Sequence, residues 1–181
     1  MTFPVLTWLF VLAIAAHNLE EAVWLPAWSQ RTSSRGAWLQ RSGRWRHPVG
    51  AFEFRFAVLV LTAAAAAAAL AARLGGKGSL GAYLVSGYAL AMLLNVVFPH
   101  VLACLALREY APGTLTALLL NAPACALLLE LALREGYVDA RVFLWAGPLV
   151  VLAIAGSIPL LFTIGRGLLT AGARPDMGRR P

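Results

Sequence analysis

Residues 3–24 read FPVLTWLFVLAIAAHNLEEAVW, an apolar run whose end carries one imidazole and two carboxylates, His17, Glu20 and Glu21. A helix through a hydrocarbon core about 30 Å thick needs about 20 predominantly apolar residues, and this run supplies them. Ionisable groups inside such a run are expensive to keep and for that reason usually serve a function. On a helix His17, Glu20 and Glu21 are related as i, i+3 and i+4, so all three project from one face. That face cannot look at lipid. It must point into a bundle whose other helices supply its partners.

Composition extends this reading to the whole chain. The 181 residues are 60% hydrophobic and 13% charged, with a mean hydropathy of +0.74, whereas a soluble domain carries about 25% charge. This is an integral membrane protein, long enough for one bundle and too short for a second sizeable domain. The formal charge of +7 does not argue for nucleic acid, because the basic residues fall in short segments between apolar runs, where membrane topology places them. Cys104 and Cys125 lie inside apolar runs without metal-type spacing and read as core residues. The first run has neither a basic stretch before it nor a clear cleavage site, so it reads as a retained helix.

Five runs are long enough to cross: roughly Phe3 to Trp24, Phe54 to Ala72, Leu80 to Leu107, Thr114 to Leu133 and Val142 to Ile164. Nothing alternates like a barrel strand, so the expected fold is all-α, a single five-helix transmembrane bundle over residues 1–170 with a basic tail at 171–181. Arg31, Arg35, Arg41, Arg44, Arg46, Arg108, Arg166, Arg174, Arg179 and Arg180 fall on one side of this topology, against Arg73, Lys77, Arg134 and Arg141 on the other. Cytoplasmic segments collect positive charge, which puts the N-terminus outside and the C-terminus in the cytoplasm. Residues 25–50 mix those arginines with Trp28, Trp38 and Trp45 and read as a short amphipathic piece along the cytoplasmic surface, with His47 a solvated loop histidine.

Within the later helices the informative residues are few. Ala63–Ala69 and Ala71–Ala72 of the second run are small enough to let neighbouring helices approach closely, so this half is expected to be buried. Glu53 at its start is either an interfacial carboxylate favoured by the helix dipole or an inward partner of His17, with Arg55 a snorkelling or counter-charge residue. The third run carries Asn95, Pro99 and His100, and Pro99 frees the Asn95 carbonyl and should bend the helix there. Asn95 and His100 would be about 140° apart on a straight helix, so that bend matters. The fourth has Asn121 followed by Pro123, and Glu130 placed to pair with Arg134. The fifth has Pro148 and Pro159 but no carboxylate or histidine, and reads as a packing or gating element.

Depth ties these groups together. His17 lies seven residues before Trp24 and His100 seven before Leu107, so each sits about 10 Å from the same end of the bundle at 1.5 Å per residue. Asn121 follows the start of its helix by a similar distance. Polar groups at one level of an antiparallel bundle can satisfy one another when buried together. Trp24, two turns beyond His17 on the same face, is either an aromatic wall of this cluster or an interfacial anchor.

The HNLEE sequence near the end of a first membrane helix, the Asn95/His100 pair and the Tyr110-Ala111-Pro112-Gly113-Thr114 run together resemble the HXXEE family of small bacterial membrane proteins. The resemblance implies a multi-helix bundle in a bacterial cytoplasmic membrane, with His17, Glu20 and Glu21 as the signature, and implies no particular activity.

The residues themselves leave three functional classes. His17, Glu20, Glu21, Glu53 and His100 could ligate zinc or iron, since mixed imidazole and carboxylate donors on facing helices suit those ions, and Asn95 and Asn121 would complete the site. The substrate of such an enzyme would be hydrophobic, lipid-like or isoprenoid-like, reached from the bilayer. The same groups without a metal could act as acid and base in an isomerase or cyclase. A small proton- or cation-coupled transporter is the third class, although no internal repeat supports it. A purely structural polar network would be costly in lipid.

Overall fold

The first helix runs past the end expected for it. In the computed structural model, which describes residues 1–32 and 50–172, α1 spans Phe3–Thr32 rather than stopping near Trp24. Its 30 residues make about 45 Å at 1.5 Å per residue, more than the hydrocarbon core requires. Residues 25–32, expected to begin a surface piece, therefore continue the helix; the remainder of that expectation, with His47, Trp38 and Trp45, lies outside the described residues, as does the tail from 173.

Four more helices follow: α2 (Ala51–Gly75), α3 (Leu80–Leu107), α4 (Thr114–Arg134) and α5 (Ala140–Gly172). All five are long and apolar enough to cross a membrane, and no strand occurs among the described residues. The helix α1 packs against α2 and α4, α3 packs against α2 and α4, and α5 lies outside this ring against α2 and α3. The interior is filled by Phe3, Leu6, Phe10 and Ile14 of α1, Val85, Tyr88, Ala89 and Met92 of α3, and Cys125 and Leu128 of α4.

The alanine tract behaves as its side chains dictate. Ala65, Ala68, Ala69 and Ala72 are buried at helical spacing while Ala63, Ala64 and Ala67 face outward. The close approach they permit culminates at Gly81, where an added Cβ would meet the Ala71 carbonyl carbon and the Ala72 nitrogen at 2.3 Å. Backbone cannot yield as a side chain can, so Gly81→Ala is expected to destabilise the bundle by about 1–3 kcal/mol. Gly156→Ala, whose added methyl meets nothing within 4 Å, should be close to neutral. Thermal unfolding of both variants in detergent checks the contrast.

Two prolines explain two local features. Pro26 has no N–H to give the Ala22 carbonyl, and that carbonyl instead accepts from Arg55 Nε of α2 at 3.1 Å. Pro99 works on α3: Phe98 before it is extended (φ −123°, ψ 116°), as the residue preceding a proline tends to be, and the helix breaks there and resumes with i+5 bonding across Val96–Val101. The Phe98–Pro99 peptide is cis. A second widened turn, Ala117–Asn121, precedes Pro123 in α4. Glu130 bonds Arg134 at 2.9 Å, as its spacing predicts.

Candidate functional site

The polar residues of α1 meet α3 and α4 at the end of the bundle where the 108–113 connection turns. His17 is 1% exposed and lies edge-on to His100, with ring centroids 4.8 Å apart. Glu21, one turn on from His17, places Oε2 3.7 Å from His17 Nε2 and Oε1 3.4 Å from His100 Nε2. One ligand atom from each of the three residues lies within 4.8 Å of the other two. Donors about 2.1 Å from a tetrahedral ion sit roughly 3.4 Å apart; each imidazole nitrogen already lies near that distance from one Glu21 oxygen, though not the same one, and bringing one atom of each residue onto a shared ion takes a contraction of up to about 1.4 Å.

Asn95 joins the two rings. Its Nδ2 is 3.3 Å from His17 Nε2 and 3.1 Å from His100 Nε2. The break in α3 accounts for this, because it brings side chains five residues apart to one side where straight winding would part them.

Behind the rings, the 108–113 connection holds α1. His17 Nδ1 faces the Gly113 carbonyl at 3.2 Å and Thr116 Oγ1 at 3.1 Å. A carbonyl can only accept, so Nδ1 carries the proton and Nε2 the lone pair. Thr116 Oγ1 in turn donates to Glu20 Oε2 at 2.7 Å, and Glu20 Oε1 accepts from the Gly113 N–H at 2.9 Å and from the Tyr110 hydroxyl. Partial burial, and then the bond to Glu20, hold the Tyr110 phenol above its ordinary range, so it stays a donor at neutral pH. Gly113 has φ +89°, and a Cβ there would lie 2.7 Å from His100 Cε1, 2.9 Å from Glu21 Cγ and 3.0 Å from His17 Cε1. Only glycine both adopts this backbone readily and leaves room for all three side chains.

The two adjacent glutamates thus do different things. Glu20 is saturated by three donors and fastens α1 to the connection. Glu21, 12% exposed, faces two imidazole nitrogens, and among the described residues no Lys, Arg or backbone N–H reaches it.

Glu53, expected as a possible ligand, is not brought to this group. Asn18 Nδ2 donates to the Val58 carbonyl at 3.2 Å and to Thr62 Oγ1 at 2.7 Å, which fixes the face of α2 that meets α1. Glu53 is five residues before Val58, about 140° around the helix, and instead packs on α5, where a methyl at Gly165 would lie 3.0 Å from its Cα. Arg55, three residues before Val58, is on the α1 face and makes the bond to Ala22 already described. Trp24 is 63% exposed and forms no wall of the cluster. Asn121 is fully buried with both side-chain polar atoms unpartnered, in the widened turn of α4 that packs against α1 and α3. Tyr110, Gly113 and Thr116 were not read from the sequence as site residues. The signal available was a short glycine turn required, in an antiparallel bundle, to close over the level of His17 and His100.

A family model described as "Protein of unknown function with HXXEE motif" matches residues 8–128. The chain is also similar to the Bacillus subtilis (strain 168) protein whose name reads "Uncharacterized protein YrkK", with 33% identity over 156 residues, covering 86% of this chain and 92% of the other. No solved structure matches.

Proposed function

The chain belongs to the HXXEE family, and from that premise and the geometry above we propose that it is a membrane enzyme acting on a lipid-like or isoprenoid-like substrate at a metal centre held by His17, Glu21 and His100. The observation that carries this reading is the facing of electron-rich atoms. The Glu21 carboxylate confronts the Nε2 atoms of His17 and His100, which have only the Asn95 amide as a neutral donor, with no cationic side chain among the described residues to balance the carboxylate. A cation between the three removes the repulsion, and two imidazoles with one carboxylate are donors that zinc and ferrous iron accept with positions left open.

When bound, such an ion supplies Lewis acidity toward a substrate oxygen. The protein supplies the rest. The Gly113 carbonyl and Thr116 hold the Nδ1 proton of His17, which fixes the ring and raises its basicity at Nε2. Asn95 sets the two rings against each other. The sequence His17 Nδ1, Thr116 Oγ1, Glu20 is a hydrogen-bonded path from the buried ring that ends on the Glu20 carboxylate, which the Tyr110 hydroxyl also donates to from the half-exposed side. Beyond the cluster the interior is closed by Ile14, Phe10, Val85 and Leu128, and at the far end by Phe3 stacked on Tyr137 with centroids 3.9 Å apart. That closure favours a site entered from one side over a transport path. The arginine count supports a topology with the N-terminus outside and the cluster in the cytoplasmic half, and the family supports a bacterial cytoplasmic membrane.

The second reading is a metal-free isomerase or cyclase in which a proton on Glu21 plays the part of the cation. The lack of any other donor to Glu21 among the described residues favours it equally, and metal content separates the two. Protein purified without chelator is expected to carry about one zinc or iron per chain, lost in His17→Ala and in His100→Ala. Metal-free protein that retains activity on membrane lipids in strong chelator would overturn the metal reading in favour of the acid–base one.

A further inference from the structure

A cavity of about 360 Å³ opens beside the cluster, lined by Trp28, Arg31, Thr32, Glu109 and Tyr110. Its size is at the small end of ligand pockets, enough for a headgroup and too little for a whole lipid. The Tyr110 side chain both lines it and bonds Glu20, the neighbour of Glu21, which connects the cavity to the cluster's surroundings.

The lining is rich in donors. The Trp28 indole N–H is buried and has no acceptor among the described residues, which is a defect unless something accepts from it. Arg31, three residues on and so on the same side of α1, brings a guanidinium with a planar fork suited to phosphate or carboxylate oxygens. The Thr32 hydroxyl is already committed to the Trp28 carbonyl at 2.9 Å, and Glu109 has an interaction of its own. Trp and Arg at the end of a membrane helix stand at headgroup level.

We propose that this cavity receives the anionic headgroup of an amphipathic molecule, bound by Arg31 and the Trp28 N–H, and that the enzyme's substrate is therefore an anionic amphiphile such as a phosphate-bearing lipid. The substrate assignment rests on the reading of the cluster as a reaction centre; the headgroup site does not. General interfacial anchoring by Trp and Arg would show no stoichiometric preference among lipids, and that separates the two cases.

The test uses the full chain in detergent with phosphatidylglycerol or phosphatidylcholine of matched acyl chains, read by native mass spectrometry, with metal content measured on the same samples. One phosphatidylglycerol per chain retained in preference to phosphatidylcholine is expected. Arg31→Gln should weaken that retention at least about tenfold, as loss of a charge-assisted bond does, and Trp28→Phe, which keeps the ring and removes the donor, should weaken it less. Both variants should keep the metal content of the unmodified protein. Competition by inorganic phosphate would support recognition of the phosphate itself, while free phosphate bound without any lipid retained would overturn the amphiphile. Equal retention of the two lipids, or no effect of Arg31→Gln, would overturn the headgroup site. Headgroup selectivity in a protein without metal would leave this site standing and remove only the metal reading.

Discussion

On the metal reading proposed above, Gly113→Ala is expected to weaken metal binding at the His17, Glu21 and His100 group while leaving the five helices folded. The added methyl must be accommodated at φ +89°, where an L side chain is strained by about 1–2 kcal/mol. It also overlaps His100 Cε1 at 2.7 Å and Glu21 Cγ at 2.9 Å, and these belong to two of the three candidate ligands. Relief requires those side chains to move apart, opposite to the contraction an ion demands. Disturbing the groups that orient metal ligands costs about 10–100-fold in metal affinity, so metal affinity should fall by about that much while helicity by circular dichroism is unchanged. Retention of metal by this variant would mean that the connection does not shape the centre.

Substituting the neighbouring glutamates should give opposite profiles. Glu20→Gln removes the charge from an acceptor of three hydrogen bonds, from Tyr110, the Gly113 N–H and Thr116, and sets an amide NH₂ against one of these donors. Bonds to a charged partner contribute about 1.5–3 kcal/mol each, so a loss of about 3 kcal/mol or more of stability is expected, seen as a lowered unfolding temperature. Glu21→Gln removes a carboxylate that no fixed donor reaches. It should leave stability nearly unchanged, or raise it in the absence of metal, and abolish metal binding. Equal destabilisation by both substitutions would contradict the division of roles.

Much of the bundle was legible because hydrocarbon thickness fixes run length, and because the i, i+3, i+4 relation of His17, Glu20 and Glu21 admits only one face. Matching depth on antiparallel helices put His17 and His100 at one level, and their rings are 4.8 Å apart. Depth does not fix rotation, however. Glu53 was offered as a partner of His17 from its place at the start of the second run, and the face of α2 turned toward α1 is set by Asn18 bonding Val58 and Thr62, a tertiary choice. Trp24 shares a helix face with His17, but burial also depends on what lies opposite, and Trp24 remains exposed. The split between Glu20 and Glu21 depended on the Tyr110 to Thr116 segment folding back onto α1, which spacing within α1 cannot reveal. That segment stood out in the sequence for its resemblance, not for its chemistry.

The break at Phe98 divides the two imidazoles between separate levers. His17 is carried by a helix of 30 residues, whereas His100 is carried by the short stretch beyond the break, with the main body of α3 anchored by Val85, Ala89 and Met92 in the core. The pivot is next to His100 in sequence, so a swing of about 10° over a radius of some 6–7 Å, a few residues of helix rise plus the side chain, moves its ring by about 1 Å. On the metal reading proposed above, that is most of the contraction of up to about 1.4 Å that a shared ion would ask of its ligands. Tyr110 and Gly113 are held on Glu20 of α1, the lever of the other imidazole, so such a swing would leave the wall of the neighbouring cavity in place.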